Sequence, residues 1–194
     1  MSKRKAKNTK GKIITAAWKL FYEQGYDDTT IEEIIDESGT SKGSFYHYFE
    51  GKDALLSSLS CLFDDKYEEL KEQISKDDNS FDTLVFLNRE LFGMIDNGID
   101  IDLLTKLFST QLTTKGERHL MDNSRVYFKL LRKIVSEGQK KGELTDAMTA
   151  SEIVRFYAMC ERGIMYDWCL MKGGYSLKSY SETVFPMMLD KIKK

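Results

Sequence analysis

A single proline and only 13 glycines in 194 residues leave this chain few places to turn tightly, which points to helices. Cysteine is scarce as well. Cys61, Cys160 and Cys169 are odd in number and show no Cys-x-x-Cys spacing, so reduced, buried thiols are the simplest account of them. The two histidines, His47 and His119, are too few and too far apart in sequence to suggest a metal site. No cysteine stands in a recognised nucleophile context. Lys52 follows Gly51, but the glycine a phosphate-binding loop needs five positions earlier is Tyr46. No catalytic residue, metal or cofactor is therefore expected. The longest uncharged run, "ALLSSLSCLF", is far too short to span a bilayer, and the basic start is not followed by an apolar stretch, so the chain reads as soluble and cytoplasmic.

Charge of one sign is lacking overall, since 29 Lys+Arg face 31 Asp+Glu for a net −2. The distribution is less even. Residues 1–12, "MSKRKAKNTKGK", carry six Lys/Arg and no acid, which fits either a solvated tail or an arm that tracks phosphates.

What is present is helical spacing. Ile13, Ala16, Ala17, Leu20 and Phe21 form one stripe and predict a helix from near Thr9 to Gln24. Thr30 and Glu33 make a capping box before Ile31, Ile34 and Ile35, and Gly39 closes that helix. Ser41 can cap the next, so a short glycine-bearing turn joins two helices. A long helix is expected from Lys52, then helices over 81–96, 102–112 and 120–141. A second capping box, Thr149 with Glu152, opens a helix reaching about Lys172, and a last helix lies within 175–194, kinked or delayed by Pro186. No strand alternation stands out. The fold class is all-α.

The helix after Thr149 carries two apolar stripes. Ile153, Tyr157, Cys160, Ile164, Trp168 and Met171 form one; Val154, Ala158, Met165 and Cys169 form the other. Together they exceed the width a one-sided surface helix needs. The helix is either central to its own domain or packs both on its core and on a partner subunit.

The stretch "GTSKGSFYHYFEGK" needs something outside the chain to make sense. Gly43 falls inside a short helix, where it costs about 1 kcal/mol against alanine. Lys42 and Lys52 fall at helix starts, where the dipole disfavours cations. A phosphate backbone resolves both oddities, because helix N-termini bind phosphate and a glycine lets a strand approach. Phe45 and Phe49 then anchor the helix, while Tyr46, His47 and Tyr48 face outward and can donate to phosphates. Thr40, Ser41 and Ser44 lie where a recognition helix meets base edges, and Thr30 starts the preceding helix.

The run "TTIEEIIDESGTSKGSFYHYFEGKDALL" resembles the helix-turn-helix of the TetR (tetracycline repressor) family of transcriptional regulators. The family's pattern is met by Ser41, Lys42, Gly43, Ser44, Tyr46, Phe49, Lys52 and Leu55, while Thr40 and Phe45 depart from its usual apolar residue and leucine. Downstream, "GQKKGEL" and "GIMYDWCLMKGGYSL" resemble the family's later segments more weakly. The resemblance implies about nine helices in each subunit, three of them forming an N-terminal DNA-binding domain, 1–51. It also implies a ligand-binding and dimerisation domain, 52–194, that pairs through its last two helices.

The expected protein is a homodimeric regulator, released from a pseudo-palindromic double-stranded operator by a small apolar or aromatic effector. Candidate DNA contacts are Thr30, Thr40, Ser41, Lys42, Gly43, Ser44, Tyr46, His47 and Lys52. Candidate effector-lining residues are Phe63, Tyr67, Phe86, Phe92, Phe108, Met121, Phe128 and Tyr157. The rival readings are a helical interaction module that has lost DNA binding and, more remotely, a small helical enzyme.

Overall fold

The computed structural model describes residues 2–114 and 118–194, with side chains described from Thr9 onward. In chain order its helices are α1 (Ser2–Gln24), α2 (Ile31–Ser38), α3 (Lys42–Tyr48), α4 (Lys52–Leu56) and α5 (Ser58–Lys71). There follow α6 (Ser80–Gly98), α7 (Ile101–Thr113), α8 (Val126–Lys141), α9 (Ala150–Leu170) and α10 (Leu177–Leu189). Among the described residues the only β-type pairing is an isolated bridge between Leu144 and Lys193. The all-α expectation holds.

Three boundaries differ from the sequence pattern, each for a local reason. α1 starts earlier than Thr9, because nothing in "SKRKAKN" breaks a helix; the arm's side chains before Thr9 lie outside the described residues. The long helix expected from Lys52 is interrupted at Ser57, giving α4 and α5; taken as one broken element they bring the α-helices among the described residues to nine. Ser57, Ser58 and Ser60 turn their hydroxyls back to donate to the carbonyls of Ala54, Leu55 and Ser57, competing with the helical ladder. The helix expected from Leu120 begins instead at Val126. Asp122 accepts from the Ser124 N–H at 2.8 Å, holding a turn. Asp64 of α5 then accepts the Tyr127 N–H at 3.3 Å and the Arg125 Nη2 at 3.0 Å, supplying a cap that Arg125 itself does not give. α10 runs through Pro186 without starting late.

The chain forms two compact units: 1–61 with 102–120, and 62–101 with 121–194. Compactness thus groups α4, the start of α5 and most of α7 with the helix-turn-helix, rather than dividing the chain after residue 51.

In the first unit α3 packs on α1 and α2 around Ile13, Ala17, Phe21, Ile34 and Phe45, all essentially buried. Burying Phe45 alone stabilises by about 1.5–3 kcal/mol. Both halves of the Thr30 capping box are formed, and Gly39 ends α2 at φ 60, the left-handed conformation that glycine adopts without strain. In the second unit α6 packs on α8 and α10, and α9 on α8 and α10. Tyr157 of α9 meets Phe185 of α10 edge to face at 5.0 Å.

Candidate nucleic-acid interface and effector core

The turn between α2 and α3 sets the reading head. Ser41 caps α3, its hydroxyl accepting the Ser44 N–H at 3.1 Å and lying 2.9 Å from the Ser44 hydroxyl. Thr40 is half-buried and shares a 2.7 Å hydrogen bond with Ser38. Phe45 and Phe49 are buried, as anchoring requires, and this turns Tyr46 and His47 outward, Tyr46 being 48% exposed. Tyr48 is half-buried, its ring 4.7 Å from His47. Thr30 spends its side chain on Glu33, whose carboxylate accepts from both its N–H and its hydroxyl at 2.8 Å and is held below the ordinary range by those bonds. Lys42 is exposed and pairs with Glu32 at 3.1 Å, a bond that raises the lysine and lowers the glutamate. Such an exposed pair exchanges readily for a stronger anion.

Gly43 is the informative residue. Its backbone is ordinary helix, and a Cβ added there would come no nearer to other atoms than 3.9 Å from the Ser41 hydroxyl. Neither backbone conformation nor internal packing asks for glycine here.

The structure gives Lys52 a different task from the one expected. Its ammonium donates to three carbonyls of the α1–α2 loop, Tyr26 at 2.6 Å, Thr29 at 2.7 Å and Asp27 at 3.2 Å, and lies 4.4 Å from the centre of the Tyr26 ring. All three of its donors are engaged. Tyr26 in turn donates to Asp53, and burial, then that bond, push its hydroxyl far above its usual pKa.

The eight candidate lining residues separate. Tyr67 and Tyr157 are buried in the second unit, their rings 5.0 Å and 6.5 Å from that of Tyr127; Met121 and Phe128 line a groove between α8 and α9; Phe86 borders a hollow beside Asn79. Phe63 and Phe92 are plain core, and Phe108 lies in the first unit.

The residue that organises the core is Glu161, 2% exposed on α9. It accepts from the Tyr127 hydroxyl at 2.7 Å, from Asn88 Nδ2 at 3.1 Å and, more distantly, from the Tyr67 hydroxyl at 3.5 Å. Tyr157 donates instead to the Leu84 carbonyl at 2.9 Å. Burial raises the Glu161 carboxyl, against the opposing pull of its hydrogen bonds, and burial followed by the Glu161 charge raises all three tyrosines. Glu161, Asn88 and Tyr127 were not singled out from sequence. A signal existed: Glu161 sits four residues after Tyr157 and seven after Val154, an acid inside an apolar face, and Asn88 sits between Leu84 and Phe92 on α6. Among the described residues no cluster of three or more His, Cys, Asp or Glu could hold a metal ion, and no helix is long and apolar enough to cross a membrane.

Both apolar stripes of α9 are spent within its own unit, Met171 excepted; Val154, Ala158, Met165 and Cys169 are each at most 9% exposed. The second stripe therefore does not face a partner. A third face does stand open: Met159, Gly163, Tyr166 and Leu170 on α9, with Tyr180 and Met187 on α10, are all exposed.

These features have counterparts in known proteins. The pattern of bacterial regulatory proteins of the tetR family matches residues 13–59, and that of the YsiA-like protein C-terminal region matches 63–191. The HTH-type transcriptional regulator QacR of Staphylococcus aureus is 30% identical over 158 residues, 75% of this chain and 80% of its own. The fatty acid metabolism regulator protein of Bacillus subtilis is 22% identical over 184 residues, 93% of either chain. In fold, the chain is similar to Thermus thermophilus FadR, a TetR-family repressor solved with lauroyl-CoA, at a TM-score of 0.76 and 22% identity over 93% of both chains. With a family pattern covering most of its length and a helix-turn-helix at its start, the chain belongs to the tetR family of bacterial regulatory proteins and is a DNA-binding transcriptional regulator.

Proposed function

We propose that the protein is a homodimeric repressor whose two α3 helices enter successive major grooves of a pseudo-palindromic operator, and that a small molecule held in the second unit releases it. The observation that carries the reading is Gly43: a helical glycine, exposed, that nothing in its own chain requires. The missing neighbour is a DNA strand, which a side chain there would push away. Around it, Ser41 and Ser44 supply short hydroxyls near base edges, and Tyr46, His47 and Lys42 supply donors to phosphates. Thr30 and Thr40 contribute through the caps and turns that hold α2 and α3. Lys52 contributes by fixing the loop behind the head and by its charge.

In this reading residues 1–51 form the head and 52–194 the effector and dimerisation domain, acting on DNA in the cytoplasm. The exposed α9–α10 face pairs two copies, with Gly163 admitting close approach of the partner. Two heads so paired demand half-sites about 34–36 Å apart, or a multiple of that. α5 and α7 each begin in one unit and end in the other, so they are the levers through which a ligand alters head spacing. The effector is an apolar or aromatic molecule that meets Tyr67, Tyr157 and the Glu161 cluster. That two FadR structures hold lauroyl-CoA and stearoyl-CoA supports an effector with a long apolar part.

The test is fluorescence anisotropy on the DNA upstream of its own gene across a salt series, with Tyr46→Phe alongside. Affinity should fall by roughly 0.9 log units per phosphate contact per tenfold salt, and Tyr46→Phe should cost about 1 kcal/mol. A flat salt response would favour a protein-interaction module.

A further inference from the structure

The turn between α2 and α3 contains two oxygen–oxygen contacts whose protons can be assigned. Ser38, 9% exposed at the end of α2, has its hydroxyl 3.1 Å from the Ile35 carbonyl and 2.7 Å from the Thr40 hydroxyl. Oxygens this close need a proton between them, since otherwise their lone pairs face one another. Only the hydroxyls of Ser38 and Thr40 carry one, and the Ile35 carbonyl brings none. Ser38 must therefore donate to Ile35, and the contact with Thr40 is left to the Thr40 proton. Donation runs from Thr40 to Ser38 to Ile35.

Ser38 gains its own satisfaction without Thr40, because its proton already goes to Ile35. The Ile35 carbonyl also takes the Thr40 N–H at 3.1 Å, which closes the turn through backbone. What the relay changes is Thr40. A threonine hydroxyl ordinarily donates one hydrogen bond and accepts two. Here its proton is turned inward, and only lone pairs are left for a partner outside. Thr40 is half-buried, immediately before the Ser41 cap of α3, in the part of a reading head that meets base edges. A phosphate oxygen is itself a pure acceptor and gains nothing from such a group. In the major groove the donors are the amino groups of adenine and cytosine, while thymine O4 and guanine O6 and N7 are acceptors.

We propose that Thr40 is a specificity-determining residue of the reading head, its hydroxyl oxygen accepting from the amino group of an adenine or cytosine. Buried Ser38 is the positioning residue that fixes this polarity by holding the Thr40 proton. The proposal rests on the reading in which α3 and the turn before it face DNA. It sets Thr40 apart from Lys42, Tyr46 and His47, which donate and so suit phosphates.

The test takes the full-length protein and the DNA it protects upstream of its own gene, and replaces each base pair of the half-sites in turn, reading affinity by fluorescence anisotropy. At one base pair in each half-site the parent should prefer adenine or cytosine on a given strand over the reversed pair by about fivefold, the scale of one hydrogen bond. Thr40→Val keeps a methyl and loses the oxygen, and should abolish that preference; Thr40→Ser should retain it. Ser38→Ala frees the Thr40 proton and should weaken or reverse the preference at that base pair alone, with the fold intact by circular dichroism. The proposal is overturned if Thr40→Val keeps the parent's preferences, because a methyl contact or none then does the reading. It is overturned as well if Thr40→Val weakens all sequences alike with a shallower salt dependence, the mark of a phosphate contact, or if Ser38→Ala discriminates as the parent does. Those outcomes leave the DNA-facing assignment of α3 standing, whereas a parent that binds no such DNA sinks both.

Discussion

Lys106 Nζ lies 2.6 Å from Asp27 Oδ1, so a helix from the middle of the sequence grips the loop that follows the first one. The hydrogen bond holds the Asp27 carboxyl below its ordinary range, and the Tyr26 ring is flanked by Lys52 at 4.4 Å and Lys106 at 5.2 Å. The pair is open to solvent, so its worth is local. In Lys106→Ala the amides of residues 26–29 should exchange faster by roughly threefold, the scale of a weak surface pair, with the melting temperature unchanged. Unaltered exchange would leave α7 with no hold on the head.

Lys52 and Lys42 look alike in sequence, both at helix starts, and should behave oppositely. Lys52→Ala strands three loop carbonyls and should cost about 1–3 kcal/mol in urea unfolding, with weaker DNA binding as a consequence of the loosened head. Lys42→Ala breaks only an exposed pair with Glu32, so stability should hold while the salt dependence of operator binding drops by about one contact. Equal stability of the two variants would mean that the Lys52 carbonyl bonds carry no weight.

Gly43→Ala should move stability and function in opposite directions. In the free protein an added methyl meets nothing closer than 3.9 Å, and alanine improves the helix by up to about 1 kcal/mol, so the melting temperature should rise. On the operator the same methyl stands between helix and strand, and affinity should fall at least about tenfold. Full operator affinity in this variant would remove the observation on which the DNA-facing assignment leans.

Much of this was legible before any coordinates. The two capping boxes, Thr30 with Glu33 and Thr149 with Glu152, are local chemistry, and both are formed. Phe45 and Phe49 were separable from Tyr46 and His47 because helical spacing puts the first pair on one face. What stayed hidden depends on the rest of the chain. Nothing near Lys52 in sequence announces that carbonyls some 25 residues earlier will surround its ammonium. The aromatic residues proposed as pocket lining shared a composition but no common helix face, so they scattered. The polar residues that do meet, Asn88, Tyr127 and Glu161, come from three helices whose packing the periodicity of each alone does not give.

The open α9–α10 face makes a prediction about assembly. Tyr166 and Leu170 are 49% and 64% exposed in the subunit, so Leu170→Asp with Tyr166→Asp should leave the fold intact. Sedimentation velocity should then show a dimer for the parent chain and monomers for this variant. Operator affinity should fall more than about a hundredfold, since two weak half-site contacts no longer act as one. A double variant that stays dimeric would place the subunit contact on another surface.

Glu161 makes stability depend on pH in a direction opposite to most carboxylates. Its folded pKa lies above the ordinary 4.5 because burial disfavours the charged form more than Tyr127 and Asn88 favour it. The folded chain therefore holds this proton more tightly than the unfolded one. Its contribution is fully present below about pH 4.5 and is lost as pH rises through the raised folded value. Glu161→Gln removes the ionisation while an amide oxygen can still accept from Asn88 and an amide N–H can donate to Tyr127. Its melting temperature should exceed that of the parent near neutral pH, and the gap should close as pH is lowered toward 4.5. The comparison is between two melting curves at each pH, so the many surface acids, common to both proteins, cancel. A gap that stays constant across the range would mean that Glu161 does not titrate there, and a gap that widens at low pH would mean that its hydrogen bonds outweigh its burial.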